Sequence, residues 1–163
     1  MSTTNGGPAP APQQQPQLNV VAQYIKDFSF ENPRAPQSLI QQQIQPEVAI
    51  NIDVTAHNLN PEAYEVALTI NVTARVQEQP VFLVELVYGA VVTIKNAPEP
   101  MLAHLLLVES PRIIFPFARA VIANATRDGG FPSLLINPID FAELLRRRQS
   151  SPQPDISEDE TTV

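Results

Sequence analysis

No cysteine and no tryptophan occur among the 163 residues, and there are only five glycines. Without thiols there can be no disulfide framework, no thiolate nucleophile and no Cys-ligated metal centre. Two of the glycines are Gly6 and Gly7, which leaves Gly89, Gly129 and Gly130 for the body of the chain. Three glycines so placed cannot write a phosphate-cradling loop or a dinucleotide fingerprint. Positive charge is also scarce: 10 Lys and Arg face 17 Asp and Glu, for a net charge of -7 and a pI near 4.7. A basic footprint that could track phosphates is missing, so neither nucleic acid nor an anionic membrane is an expected partner. The two histidines, His57 and His104, have no carboxylate at metal-ligand spacing. His104 is expected in the core or at an interface. There is no Gly-x-Ser-x-Gly elbow, and the eight serines fall largely in the chain ends or beside prolines. The acidic pair Asp27 and Glu31 reads as a solvated strand face rather than a general acid and base. No enzyme activity, metal or cofactor is expected.

Long apolar runs are missing as well. No stretch of 18 apolar residues occurs, and the first 20 residues hold neither Lys nor Arg nor an apolar segment. Neither a spanning helix nor a secretory signal is expected, which points to a cytoplasmic, soluble chain. The triplets Asn71-Val72-Thr73 and Asn124-Ala125-Thr126 then read as chance matches to a glycosylation acceptor.

What the chain has in plenty is proline at its ends and alternation in between. Residues 1–19 carry Pro8, Pro10, Pro12, Pro16 and a Gln run, too little apolar surface to offset the entropy of ordering. Residues 149–163 carry Asp155, Glu158, Asp159 and Glu160 with no cation. Both ends are expected to be disordered, around one domain at 20–148. That domain holds 13 acids and 10 bases, so more than half the charge excess lies in the C-terminal tail.

Period-two patterning dominates the first half of the domain. Residues 20–31 place Val20, Ala22, Tyr24, Phe28 and Phe30 on one face and Gln23, Asp27, Ser29 and Glu31 on the other, with Ile25 and Lys26 interrupting. Val48, Ile50, Ile52 and Val54 alternate with Asn51, Asp53 and Thr55 before a turn expected from His57 to Pro61. Tyr64, Val66, Leu68, Ile70, Val72 and Val76 form a third inward row. Residues 81–94 are apolar at 11 of 14 positions, on both faces. Such a strand either lies mid-sheet with both sides covered, or keeps an outer face for another protein surface.

From Pro100 the period becomes helical. Residues 101–109 are Leu-rich, and residues 111–127 space Ile114, Phe117, Ala118, Val121, Ile122 and Ala125 by three and four before Gly129-Gly130. A last helix is expected from an N-cap at Asn137 with Pro138 in its first turn, running to Arg146, Arg147 and Arg148, read as helix-end charges. Strands followed by helices describe an α+β domain: a four-stranded antiparallel sheet with helices packed on one face. A connection of 15 residues, Asn32 to Pro46, with three prolines and no period, separates the first two strands. Its Leu39, Ile40 and Ile44 suit the wall of an adaptable groove, and its length equally suits a crossover spanning a sheet.

Five segments in order, Lys26-Asp27-Phe28-Ser29-Phe30-Glu31-Asn32-Pro33, Gln45-Pro46-Glu47-Val48, Tyr64-Glu65-Val66, Ile114-Phe115-Pro116-Phe117-Ala118-Arg119 and Gly130-Phe131-Pro132, resemble the motifs of SecB, the bacterial protein-export chaperone family. The resemblance implies a homotetramer, a dimer of dimers, that binds unfolded preproteins without ATP and passes them to the translocase motor SecA. It implies that the crossover, with Leu39, Ile40 and Ile44, walls a client groove together with the last helix. It also implies that Asp27, Glu31, Leu83 and Glu85 form the surface that meets SecA. Relatives commonly carry Trp where this chain has Ile44, which leaves open how aromatic the groove is. The alternative from another class is an oligomeric scaffold or adaptor that binds a folded partner through the acidic sheet face.

Overall fold

The computed structural model describes residues 7–12, 14–40 and 44–151. Four long strands, β1 (Gln17–Glu31), β2 (Glu47–Asn60), β3 (Ala63–Val76) and β4 (Gln79–Lys95), form one antiparallel sheet in the order β1-β4-β3-β2. Consecutive β2, β3 and β4 are joined by tight turns. At the first, the Asn60 side-chain oxygen accepts hydrogen bonds from the backbone N–H groups of Glu62 (3.1 Å) and Ala63 (2.9 Å). At the second, Gln77 and Glu78 both adopt positive φ, 50° and 64°, the primed geometry that matches the twist of a two-residue hairpin.

β1 and β2 occupy opposite edges, so the chain between them crosses the full sheet, about 14 Å at 4.8 Å per strand gap. Its 15 residues reach well beyond that distance, since an extended residue spans about 3.3 Å. The crossover is not without structure: Gln37–Ile40 forms a short helix, α1. Gln41 to Gln43 lie outside the described residues, as do residues 1–6, 13 and 152–163 of the two expected tails. The tail boundaries need correction, because Gln17, Leu18 and Asn19 pair with Lys95, Ile94 and Thr93 of β4, and the last helix runs on through Ser150.

β4 is interior, paired with β1 and β3. Its even positions from Phe82 to Ile94 are buried under the helices, whereas Leu83, Val87 and Val91 on the other face are only half-buried. Within the chain, helices cover one face of the sheet.

The helical layer is a continuous path: α2 (Glu99–His104), a π-helical turn (Leu105–Glu109) and α3 (Ser110–Asp128). Proline explains the π turn. Pro111 has no N–H to offer, so the register loosens there, and the Leu105 carbonyl receives both the Ser110 N–H and its hydroxyl (Oγ to O, 2.7 Å). α3 ends in a Schellman arrangement. Phe131 N–H reaches the Thr126 carbonyl (3.0 Å), Gly130 N–H reaches Arg127 (3.0 Å), and Gly130 supplies the positive φ of 90°. The last helix, α4 (Phe141–Ser150), starts later than its proline suggests: its N-cap is Asp140, whose carboxylate accepts from Glu143 N–H (3.0 Å). Residues 132–140 carry no regular secondary structure, and Ile136 among them is buried in the core, a contact that outweighs the local N-cap signal at Asn137. The terminal arginines do carry helix-end charge. Arg146 and Arg147 pair with Glu143, and Arg148 pairs with Asp53 while donating to the Val54 carbonyl (2.8 Å) on β2.

Leu68, Ile70 and Leu86 from the sheet meet Ile114, Ile122 and Phe141 from the helices in a core from which water is excluded. Each such side chain contributes about 1.5–3 kcal/mol. The turn expected at His57 does not form, and His104 is not in the core. His57 lies within β2 opposite Glu65, because the strand extends to Asn60 before turning. His104 is exposed beside Glu109 (3.2 Å), because it sits on the solvent side where α2 meets the π turn. No described helix is long and apolar enough to cross a membrane.

Candidate functional site

A groove of about 440 Å³ opens at the end of the sheet where the crossover arrives. Val48 of β2, Val76 of β3, and Val81 and Phe82 of β4 provide its apolar base, Ile44 and Pro46 one wall, and Phe131 and Leu134 the other. Arg34 and Gln45 bring polar groups to its rim, together with Ser38, whose hydroxyl is buried without a hydrogen-bond partner.

Aromatic stacking sets the depth of the groove. Phe30, next to last in β1, stacks on Phe82 (centroids 6.1 Å apart, 20° between planes), and Phe82 meets Phe131 at 4.8 Å. The rest of the wall is held by α3. Thr126 Oγ1 donates to the Ile122 carbonyl (3.0 Å) and accepts from Leu134 N–H (2.9 Å), fixing the extended segment after the helix. Asn32 donates to the Gly129 carbonyl (2.9 Å), and only a glycine at 129 leaves room for the Phe30 ring, which an added Cβ would meet at 2.4 Å.

Of the three crossover residues expected here, the structure brings Ile44 into the groove. Leu39 packs on Gly130 instead, with a methyl 2.9 Å from where a Cβ would stand. Ile40 is 79% exposed and is not among the described residues that line this groove. The last helix is not a wall either: α4 packs beside the π turn and β2, around Val54 and Leu107, and the extended segment from Phe131 takes the place expected for it. Phe82 and Phe131 keep the groove aromatic although position 44 is aliphatic. Neither was singled out from sequence as a groove residue, although Phe131-Pro132 stood among the motifs.

The second region is the helix-free face of the sheet. Register places Asp27, Ser29 and Glu31 of β1 opposite Val87, Glu85 and Leu83 of β4. All four expected residues therefore share one face. Glu85 faces Ser29 directly and is diagonal to both Asp27 and Glu31, separations of about 7–8 Å. The three carboxylates are exposed, and among the described residues none has an ion-pair partner. Leu83 stands at the end of the patch, opposite Glu31, rather than at its centre.

The first-strand alternation is broken twice, with register shifts between Val20 and Ala22 and between Ile25 and Asp27. Val20, Phe28 and Phe30 face the helices as expected. Ala22 and Tyr24 do not: opposite Val91 and Gly89, they lie on the acidic side. There Tyr24 crosses β4 and donates its hydroxyl to Glu65 Oε2 of β3 (2.5 Å), while Lys26 Nζ pairs with Glu65 Oε1 (2.5 Å). Burial first, then the bond to Glu65, pushes the Tyr24 phenol up to about 12. The Lys26 and Tyr24 hydrogen bonds hold the Glu65 carboxyl below its ordinary range.

The family model described as preprotein translocase subunit SecB matches residues 11–152. The protein-export protein SecB of Bradyrhizobium sp. (strain BTAi1) is 50% identical over 154 residues, covering 92% of this chain and 95% of its own. That of Azorhizobium caulinodans is 49% identical over 148 residues, 91% of each chain. Among solved structures, the SecB-like chaperone of Mycobacterium tuberculosis, in complex with a peptide from an antitoxin, superposes with a TM-score of 0.63 at 12% identity, covering 75% of this chain and 90% of that one. With half of the residues shared across nearly the whole length and the same sheet-and-helix plan, the chain belongs to the SecB family.

Proposed function

We propose that this protein is an ATP-independent export chaperone that holds preproteins unfolded in the groove beside the crossover and delivers them to SecA through the acidic sheet face. The observation that carries the reading is the groove itself, an open trough whose base is apolar and whose Phe82 and Phe131 rings meet between base and wall. Apolar burial is non-directional, so such a trough accepts many sequences without reading any one of them. Nothing in the glycine pattern provides for a nucleotide.

The protein acts as a homotetramer, a dimer of dimers. Ile113 and Phe117 stand exposed on the outer side of α3, and Val21, Ile25 and Phe28 along the unpaired edge of β1. Apolar groups so grouped suit self-assembly with closed symmetry. Light scattering at micromolar concentration is expected to give about four times 17.9 kDa. A monomer would overturn the assembly.

The decisive experiment is refolding of a slow-folding preprotein from denaturant. Sub-stoichiometric tetramer should delay it, ATP should change nothing, and the folded form of the same client should not bind. Affinity for folded proteins alone would favour the scaffold reading.

A further inference from the structure

Strand β1 carries Asp27 and Glu31 to the acidic face only because it is bulged at Lys26. Between the two register shifts, from Ala22 to Ile25, the odd residues face the helices, and from Asp27, opposite Val87, the odd residues face away. Were Lys26 paired in ordinary alternation, Phe28 and Phe30 would point to solvent and Asp27, Ser29 and Glu31 into the helical layer. Phe30 on Phe82 and Asn32 on Gly129 fix the strand downstream of the bulge. Upstream, the fixed points are Tyr24 and Lys26, which converge on the two oxygens of one carboxylate, Glu65. Glu65 belongs to β3, two strand gaps from β1, about 9.6 Å, a distance that the long Lys26 stem covers from its position outside the ladder.

We propose that Lys26 and Glu65, assisted by Tyr24, are positioning residues that pin the bulge and so hold the Asp27 carboxylate in register with Glu85 and Glu31 for a basic docking segment. This rests on the reading of that face as the SecA-binding surface. It separates two roles for charge on one face: three unpaired carboxylates to attract the partner, and one paired carboxylate to arrange them.

The test turns on the direction of the effect. Lys26→Met makes the face more negative, so attraction by charge alone predicts tighter binding of SecA, whereas loss of positioning predicts weaker binding. Titration of SecA against the full-length tetramer is expected to show about fivefold weaker binding for Lys26→Met, near-native binding for Lys26→Arg and unchanged client affinity. Equal or tighter binding by Lys26→Met overturns the proposal. The Asp27→Arg/Glu85→Arg double variant reports on the docking reading separately, since it must lose SecA if the face docks it at all. Amide hydrogen exchange of residues 25–29 is independent of any partner. It should accelerate at least tenfold in Lys26→Met and in Glu65→Gln, while exchange in the core of β3 stays unchanged, and protection that survives both substitutions also overturns the proposal.

Discussion

The ring of Tyr24 lies across β4 over Gly89, so close that a Cβ on Gly89 would stand 2.6 Å from Tyr24 Cε2. A glycine in the middle of a long interior strand normally weakens it. Here it leaves the trough in the pleated surface through which a side chain from β1 reaches β3.

Gly89→Ala is therefore expected to destabilise the protein by about 1–3 kcal/mol, the usual range for overpacking. Removing the ring should relieve the clash, so Gly89→Ala placed in a Tyr24→Ala background should cost markedly less. Denaturant unfolding of the four members of this cycle checks it, and additive losses would show that the ring and the glycine do not interact.

Tyr24 should titrate near pH 12 in a difference-absorbance titration. Its folded-state pKa lies above the unfolded value of 10.0, so the neutral phenol is favoured by folding. The stabilisation is fully present below about pH 10 and is lost as pH rises toward 12. Glu65 works in the opposite direction. Its lowered pKa gives stability that is present above the unfolded carboxyl value and lost as pH falls through the folded one. Glu65→Gln should bring Tyr24 part of the way back down, the remaining elevation coming from burial.

In the groove, Ile44→Ser should weaken client binding about threefold to tenfold, equivalent to about 0.6–1.4 kcal/mol, because Ile44 contributes apolar wall area. Ile40→Ser, four residues away, should leave it unchanged. Fluorescence titration of one unfolded client against both variants compares them directly. Equal losses would mean that clients reach beyond the groove onto the exposed face of the crossover.

On the acidic face, reversal of Asp27 and Glu85 to Arg should lower SecA affinity at least tenfold, about 1.4 kcal/mol, without loss of client binding. Native affinity should itself fall as ionic strength rises, since exposed charges are screened beyond about 10 Å at 0.1 M salt. Calorimetric titration at two salt concentrations measures both effects, and a salt-independent affinity would remove these carboxylates from the contact.

Strands β2 and β3 were legible in the sequence because period two leaves little choice of face, β4 as a run apolar on both faces, and the change to helical spacing after Pro100 located the covering layer. Strand β1 was harder. A bulge consumes a residue without leaving a compositional mark, so the interruption at Ile25 and Lys26 showed, while the one at Val21 did not, and Tyr24 was assigned to the wrong side. The acidic patch was named through the family resemblance, alternation put Asp27 and Glu31 on one face of their strand, and the pairing of β1 with β4 that joins them to Glu85 came from the structure. The groove could not be assembled from sequence, since Val48, Val76, Phe82 and Phe131 come from four segments that meet only in three dimensions. Ile44 alone stood out, as an apolar residue within a polar connection.

The placement of β1 beside β4 also fixes an order of events at the ribosome. Gln17 pairs with Lys95, 78 positions later, whereas β2, β3 and β4 each meet the next strand through a short turn. The three-stranded meander can form as it is translated, but the first strand to emerge has no partner until the last one is made. At ordinary elongation rates of 5–20 residues per second that interval is roughly 4–16 s. Phe28 and Phe30 wait for Leu86 and Val84, roughly 3–12 s at the same rates, so every nascent copy of this chaperone spends several seconds with an unpaired apolar strand of the kind that needs a chaperone.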